Sequence, residues 1–341
     1  MFMFRKEKLY RIFKKNERSI TMVDINILKE FGNNLIPELE KLNSKFKYSI
    51  TEYEKNNKHV VSLCVDYNTS NKNDMKICPQ FPLDYYYSFL TDNNLNSVVK
   101  KLYEDIVKNK SRLNLGSLFN DIKKGNYQKF KDNIYIKVLP IENNAELLNS
   151  LVYKEYAGVA MVPYILFSVS DGNETGTANI TKAMFDEFRD KPTEDELFEN
   201  ALLNTKKYGF VFNNMLDVIL KNKYLDFSPT KFYSFINENG YDNKNFILIT
   251  NKSTYFGAAF ICYKEYLHTI ANALNTNLYI IPSSINEVLI MSETNLASKN
   301  DLISMVTDIN NNSDLISTTD ILGSFVWHYN KDTMELTFIK E

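Results

Sequence analysis

The sequence predicts an α+β fold with mixed or antiparallel sheets, packed helices and two subdomains. Three observations lead there. Several segments repeat apolar residues at spacings of three and four, as helices with one buried face do. Others alternate apolar and polar residues between Asn, Gly, Asp or Pro clusters, as half-buried strands do. The two kinds do not alternate strictly along the chain, which separates the pattern from a doubly wound α/β fold. With 341 residues and roughly 150 residues per domain as a guide, two domains are expected. Their expected bounds are 22–221 and 246–341, with a linker at 222–245 and a basic extension at 1–21.

The first helix follows Asp24. Leu28, Phe31, Leu35, Leu39 and Leu42 form its apolar stripe, and Gly32 and Pro37 predict a kink or two shorter helices. Residues 46–53 and 59–66 alternate, with Val61, Leu63 and Val65 on one face, and the polar 55–58 connection reads as a hairpin loop. A short strand is expected near 75–78, ended by Pro79 and Pro82. Residues 83–90 read as a short helix. Asn94 caps a longer one that carries Leu95, Val98, Val99, Leu102 and Ile106 on one face. Residues 134–139 alternate as a strand stopped by Pro140, and a brief helix follows at 143–151.

Residues 156–170 hold the most apolar strand, where Pro163 implies an edge position or a bulge. A turn at 171–174 leads to its partner at 175–181. Thr193 and Glu196 have the spacing of a capping box, opening a helix buried through Leu197, Phe198, Ala201 and Leu202. Residues 208–242, rich in Asn and aromatics, read as a linker with one helix at 213–220. Strands are then expected at 246–250, 257–262, 278–281 and 288–291, and helices at 264–274 and 300–310. A final hairpin joins 325–329 to 335–339.

Composition excludes several classes. A net charge of −2 argues against a generally basic nucleic-acid binder. Cys64, Cys78 and Cys262 cannot make a full disulfide framework, which points to a reducing, cytoplasmic setting. No apolar run approaches the roughly 18 residues needed to span a bilayer. Residues 1–21 carry Arg5, Lys6, Lys8, Arg11, Lys14, Lys15 and Arg18 against Glu7 and Glu17. Two readings stand for this segment: a flexible extension, or weak contact with an anionic surface. Met22 is an alternative natural start. Heavy use of Asn and Lys reads as nucleotide bias and carries no functional weight.

Motif chemistry is sparse. His59, His268 and His328 are too far apart to share a helical face, and no cysteine pair has zinc-like spacing, so neither metal nor cofactor is expected. The Gly-x-Ser-x-Gly elbow, the phosphate loop and the dinucleotide fingerprint are absent. Lys123, Lys124, Lys129 and Lys131 with Tyr127 and Phe130 read as a solvated loop and not as a nucleic-acid platform. One bend is richer: Pro282, Ser283, Ser284, Ile285, Asn286 and Glu287 put two hydroxyls and a carboxylate between two strands. Ser284 and Glu287 have capping-box spacing, so the structural reading is one helical turn closing its own amides. The functional reading is a polar pocket that binds a ligand or partner through Ser283 and Glu287.

The stretch FILITNKSTYFGAAFICYKEYLHTIANALNTNLYIIPSSINEVLIM resembles the C-terminal half of an uncharacterised bacterial family. That family is a domain of unknown function common in low-GC Gram-positive bacteria and often carried on mobile elements. The matching positions are Thr250, Asn251, Gly257, Ala258, Ala259, Tyr263, Tyr279, Pro282, Ser283, Ser284 and Glu287. Similar stretches at 134–148, 159–167, 176–181 and 193–205 extend the likeness over roughly 22–340, in the same order. The chain departs from the family at Asn286, where members often carry a histidine, and in its basic extension. The resemblance implies a cytoplasmic, two-part α+β protein and brings no activity with it.

The resulting expectation is a non-enzymatic binding or interaction protein, an accessory of a mobile element, whose partner is an unknown protein or small molecule. No specific nucleic-acid binding is expected. Asn251, Tyr263, Ser283, Ser284 and Glu287 are the candidate binding residues, and none is assigned a catalytic role. The alternative is a hydrolase built from Ser283, Glu287, Asn251 and His268.

Overall fold

The computed structural model describes residues 23–67, 78–90, 94–112, 121–122, 124–169, 174–220, 223–239, 246–294 and 298–340. The basic extension lies outside them, as do residues 171–173 of the expected turn and residues 75–77 of the expected third strand. The chain opens with α1 (Ile25–Leu42), β1 (Lys47–Lys55), β2 (Lys58–Asp66), β3 (Gln80–Pro82), α2 (Leu83–Leu90), α3 (Leu95–Arg112) and α4 (Tyr127–Phe130). It continues through β4 (Ile134–Pro140), α5 (Ala145–Ser150), β5 (Lys154–Tyr156), β6 (Val159–Val169), β7 (Glu174–Asn179), α6 (Lys182–Asp186) and α7 (Glu194–Tyr208). Next come β8 (Phe210–Asn214), α8 (Met215–Ile219), β9 (Leu225–Asp226), α9 (Pro229–Asn239), β10 (Ile247–Asn251) and α10 (Lys264–Leu274). The last elements are β11 (Leu278–Ser284), β12 (Glu287–Ser292), α11 (Lys299–Asn310), β13 (Val326–Tyr329) and β14 (Leu336–Ile339).

Among the described residues the strands form three sheets, paired antiparallel throughout, so the α+β class holds. A three-stranded sheet runs β1-β2-β3, and a seven-stranded sheet runs β14-β13-β11-β12-β10-β8-β9. In the third sheet β6 is central, with β4 on one side and β5 and β7 on the other. Helices α1, α2 and α3 cover the three-stranded sheet around Leu35, Leu39, Leu63, Leu83 and Leu102. The largest cluster joins the other two sheets and α10 through Val138, Val162, Phe260, Leu267, Ile280 and Trp327. Opposite faces are covered by α7 on the β4–β6 side and by α11 on the seven-stranded sheet.

Several local expectations change. Helix α1 is continuous through Pro37. Leu35 and Leu39 are fully buried on either side of it, which holds the turn that the missing amide weakens. Gly32 is a packing position: a Cβ there would sit 2.5 Å from Ile50 Cδ1 and 2.6 Å from Leu83 Cδ1. The third strand starts at Gln80, after Pro79 and not before it.

Pro163 is in neither an edge strand nor a bulge, because β6 is paired on both sides. It falls where β5 has ended at Met161 and β7 begins at Tyr164, so no ladder bond needs its missing amide. Its carbonyl accepts from Ile180 N at 3.3 Å.

The 208–242 stretch, read as a linker with one helix, holds β8, α8, β9 and α9. Phe232 of α9 is fully buried against Phe212 of β8. Residues 257–262 form a buried 3-10 turn, not a strand; an all-apolar run carries no period to tell the two apart. Tyr127 and Phe130 are buried, so neither ring is a platform.

The three-stranded sheet is tied to the rest through asparagine side chains. Asn57, at φ 55°, turns the β1–β2 hairpin, and its backbone amide donates to Asn144 Oδ1 at 2.9 Å. Asn144 Nδ2 faces Asn56 Oδ1 (3.1 Å), Asn57 Oδ1 (3.1 Å) and the Pro140 carbonyl (3.0 Å). Asn56 and Asn57 in turn donate to the Ile321 carbonyl at 3.1 and 2.8 Å. Asn144 is 2% exposed, so removing its amide leaves several buried groups without partners. Asn144→Ala is expected to cost about 2–3 kcal/mol. Denaturant unfolding measures it, and a midpoint equal to wild type would contradict the role of this residue.

Candidate functional site

The motif residues at the ends of β10, β11 and β12 meet at one corner of the seven-stranded sheet. Asn251 ends β10 and folds the next loop back on itself. Its Oδ1 accepts from Ser253 N (3.1 Å), Ser253 Oγ (3.0 Å) and Tyr255 N (3.1 Å), while its Nδ2 donates to the Tyr255 carbonyl. Asn and Asp side chains favour such turns because they can bond backbone amides two residues on.

The facing wall is the β11–β12 connection. It is a tight hairpin pairing Ser284 with Glu287, not the expected helical turn. Ser284 Oγ accepts from Asn286 N at 3.0 Å, closing the turn. Asn286 fastens the two walls together: its Oδ1 accepts from Phe256 N at 3.0 Å, and its carbonyl accepts from Thr250 Oγ1 at 2.7 Å. Gly257 lies in the closest approach, where a Cβ would meet Asn286 O at 2.5 Å, Thr250 Oγ1 at 2.5 Å and Asn251 N at 2.6 Å.

The clasped loop is held in an unusual conformation. Thr254 and Phe256 both have left-handed backbones, at φ 59° and 60°. Such non-glycine positions cost of order 1–3 kcal/mol each and persist only when surrounding contacts over-determine them. Tyr255, between them, is 65% exposed.

Phe256 turns inward, with its ring centroid 5.0 Å from that of Tyr164. Beneath it lies Lys137 of β4, with Nζ 4.7 Å from the Phe256 ring and donating to Asn179 Oδ1 at 2.6 Å. Burial, with a smaller contribution from the Lys55 charge, pushes the Lys137 ammonium down to about 8. The aromatic faces and the amide oxygen stabilise its charged form, but no carboxylate among the described residues pairs with it.

Next to the clasp, Ser283 Oγ donates to Glu287 Oε1 at 2.8 Å. Burial raises the Glu287 carboxyl above its usual range, against the lowering effect of the Ser283 hydrogen bond. Asn251, with both ends of its amide engaged in the loop, braces that loop.

Of the residues singled out in the sequence, Asn251, Ser283, Ser284 and Glu287 therefore share this corner. Tyr263 does not. It is 4% exposed, and its hydroxyl donates to the Leu202 carbonyl at 2.7 Å, locking α7 against the start of α10. His268 lies along α10, and its buried Nδ1 has no hydrogen-bond partner among the described residues. His59 sits between Glu52 and Glu54, and His328 meets Glu293 at 2.9 Å. No group of three potential metal ligands occurs among the described residues.

Sequence reasoning passed over Lys137 and Tyr255. The Lys137 signal was present: its strand places Tyr135, Lys137 and Leu139 on one face, so a lysine stands at a position bordered by apolar ones. Tyr255 left no such trace, because loop exposure has no period.

Two outcomes follow. Gly257→Ala is expected to cost at least about 2 kcal/mol, since the obstructing atoms are largely backbone; thermal unfolding measures it. Glu287→Gln keeps a hydrogen bond to Ser283 and removes a carboxyl that burial makes harder to ionise. A raised acid stabilises the fold below its unfolded value of 4.5, and that contribution is lost as pH rises above it. The variant should therefore gain stability relative to wild type as pH rises from about 4.5 to neutrality. Unfolding midpoints that run parallel across that range would count against a buried, raised carboxyl.

No curated protein and no solved structure matches the chain. Residues 28–331, however, match the family of unknown function DUF5688, spanning both walls of the clasp, the Lys137 strand and the asparagine junction. The chain is a member of the DUF5688 family.

Proposed function

We propose that this chain is a non-enzymatic binding protein of the cytoplasm, and that the clasped 252–256 loop is its recognition element. One observation carries the reading: Tyr255 is 65% exposed at the tip of a loop pinned at both ends. A rigid, exposed tyrosine contributes contact area while losing little conformational freedom on binding, which is why this residue type anchors protein interfaces. The left-handed residues on either side support the same reading, since strain of this kind collects at ligand clamps. Asn251, Ser284 and Asn286 shape the loop, and Ser283 and Glu287 border it. A protein partner fits the feature better than a small molecule, because the anchor projects outward.

Using the full chain as bait, Tyr255→Ala should lose the captured partner by at least about tenfold. Tyr233→Ala, another exposed tyrosine on α9, should keep it. Since Tyr255 lies outside the core clusters, its thermal midpoint should stay within about 1 °C of wild type. Equal capture by Tyr255→Ala and wild type would remove the loop from the recognition surface.

A second reading has its own observation, the 2.8 Å Ser283–Glu287 hydrogen bond with its raised carboxyl. A hydrolase would use Glu287 to take the Ser283 proton as the hydroxyl attacks an acyl group. Hydrolysis of a small activated ester by the wild-type chain, lost in Ser283→Ala, would support that reading over the first.

A further inference from the structure

Far from the clasp, two cysteines share the outer face of the three-stranded sheet. Leu63 and Val65 of β2 point into the core, so the alternation of the strand turns Cys64 to the other side. There Cys64 pairs across β1 with Ser49 and across β3 with Gln80. Cys78 precedes Gln80 by two positions and is therefore the diagonal neighbour of Cys64 on the same face. The Cys64 Sγ lies 4.0 Å from the Cys78 carbonyl oxygen, so the two residues are neighbours on this face. Both residues are free thiols and half-buried, so a small oxidant reaches them.

We propose that Cys64 and Cys78 form a peroxide-sensitive oxidation site that closes to an intramolecular disulfide. The Cys78 thiolate attacks one oxygen of hydrogen peroxide and the O–O bond breaks. Cys78 becomes a sulfenic acid, and the departing hydroxide takes a proton to leave as water. The Cys64 sulfur then attacks the Cys78 sulfur and the S–O bond breaks. The second hydroxide leaves as water with the Cys64 proton. Two thiols are oxidised to one disulfide while one peroxide is reduced to two waters.

The order of attack follows from the surroundings. Burial, with the neighbouring Cys78, pushes the Cys64 thiol up to about 11, so it is the poorer first nucleophile and takes the resolving role. In a reducing setting the resting state is the dithiol. The bond bridges β2 to the segment leading into β3, where Val65 N already donates to the Pro79 carbonyl at 3.0 Å. Oxidation thereby ties β3, and α2 directly after it, to the central strand of that sheet.

Cys262 is the internal control. It is partly exposed like the other two, but it packs between two core clusters, and burial pushes its thiol up to about 12, so its acidity sets it apart. The experiment treats the purified full chain with hydrogen peroxide and reads intact mass and a non-reduced peptide digest. The expected result is the loss of two hydrogens, a Cys64–Cys78 linked peptide, reversal by a dithiol, and Cys262 left unmodified. In Cys64→Ser the reaction should stop at a sulfenic acid on Cys78, trapped by a dione reagent. An unchanged mass, sulfinic or sulfonic acid without a linked peptide, a link to Cys262, or chain-to-chain dimers would each overturn the proposal.

Discussion

Buried loop backbone has to find hydrogen-bond partners, and in this protein asparagine side chains supply them. Asn144 is the central case: its amide stands between the β1–β2 turn and the 140–144 bend, segments that share no strand pairing. Without it, among the described residues the seam would keep only the bonds from Asn56 and Asn57 to the 318–321 carbonyls, and the Asn57 amide and Pro140 carbonyl would lose this partner. The same device recurs at two other seams. Asn204 Nδ2 donates to the Lys131 and Ile134 carbonyls at 2.8 and 2.9 Å and seats α7 on β4. Asn251 and Asn286 do it at the clasp. An amide carries both donor and acceptor without charge, so it satisfies either kind of backbone group at a lower burial cost than an ion.

The clasp shows how that constraint passes into the candidate site. Its two walls are held by hydrogen bonds from Thr250, Asn251 and Asn286, and Gly257 lets them approach to a distance no side chain would allow. These contacts hold the left-handed Thr254 and Phe256 in place and so set where Tyr255 points. Phe256 carries the influence one layer deeper, onto the Lys137 ammonium and Tyr164. The exposed tyrosine and the buried lysine thus depend on the same short loop, one on each side of it.

Ionisable groups near the corner follow the same logic in opposite directions. Burial lowers the Lys137 amine and raises the Glu287 carboxyl, so each is shifted toward its neutral form. Each also keeps one polar neighbour, Asn179 for the amine and Ser283 for the acid. A corner built this way tolerates little local rearrangement.

Local rules determined much of this protein. The Thr193–Glu196 capping box forms as read, with Glu196 N on Thr193 Oγ1 at 3.2 Å and Thr193 N on Glu196 Oε2 at 2.8 Å. The apolar stripe of α10 and the alternation of β1 and β2 also appear where their periods put them. These depend on residues within a turn or two of each other, or on the face a side chain must present. Most of the candidate corner was legible for the same reason, since Asn251, Ser283, Ser284 and Glu287 sit at strand ends that the pattern marks.

Tertiary structure alone decided the rest. Pro163 could be central only because β5 and β7 divide one side of β6 between them at that residue. The 257–262 run could become a 3-10 turn only because layers cover all its sides. Asparagine, set aside in the sequence as compositional bias, became structural through partners as distant as Asn56 and the Ile321 carbonyl. The physical reason is common to all three. Whether a backbone amide or carbonyl finds a partner depends on groups brought close by folding, and their separation along the chain leaves no periodic mark.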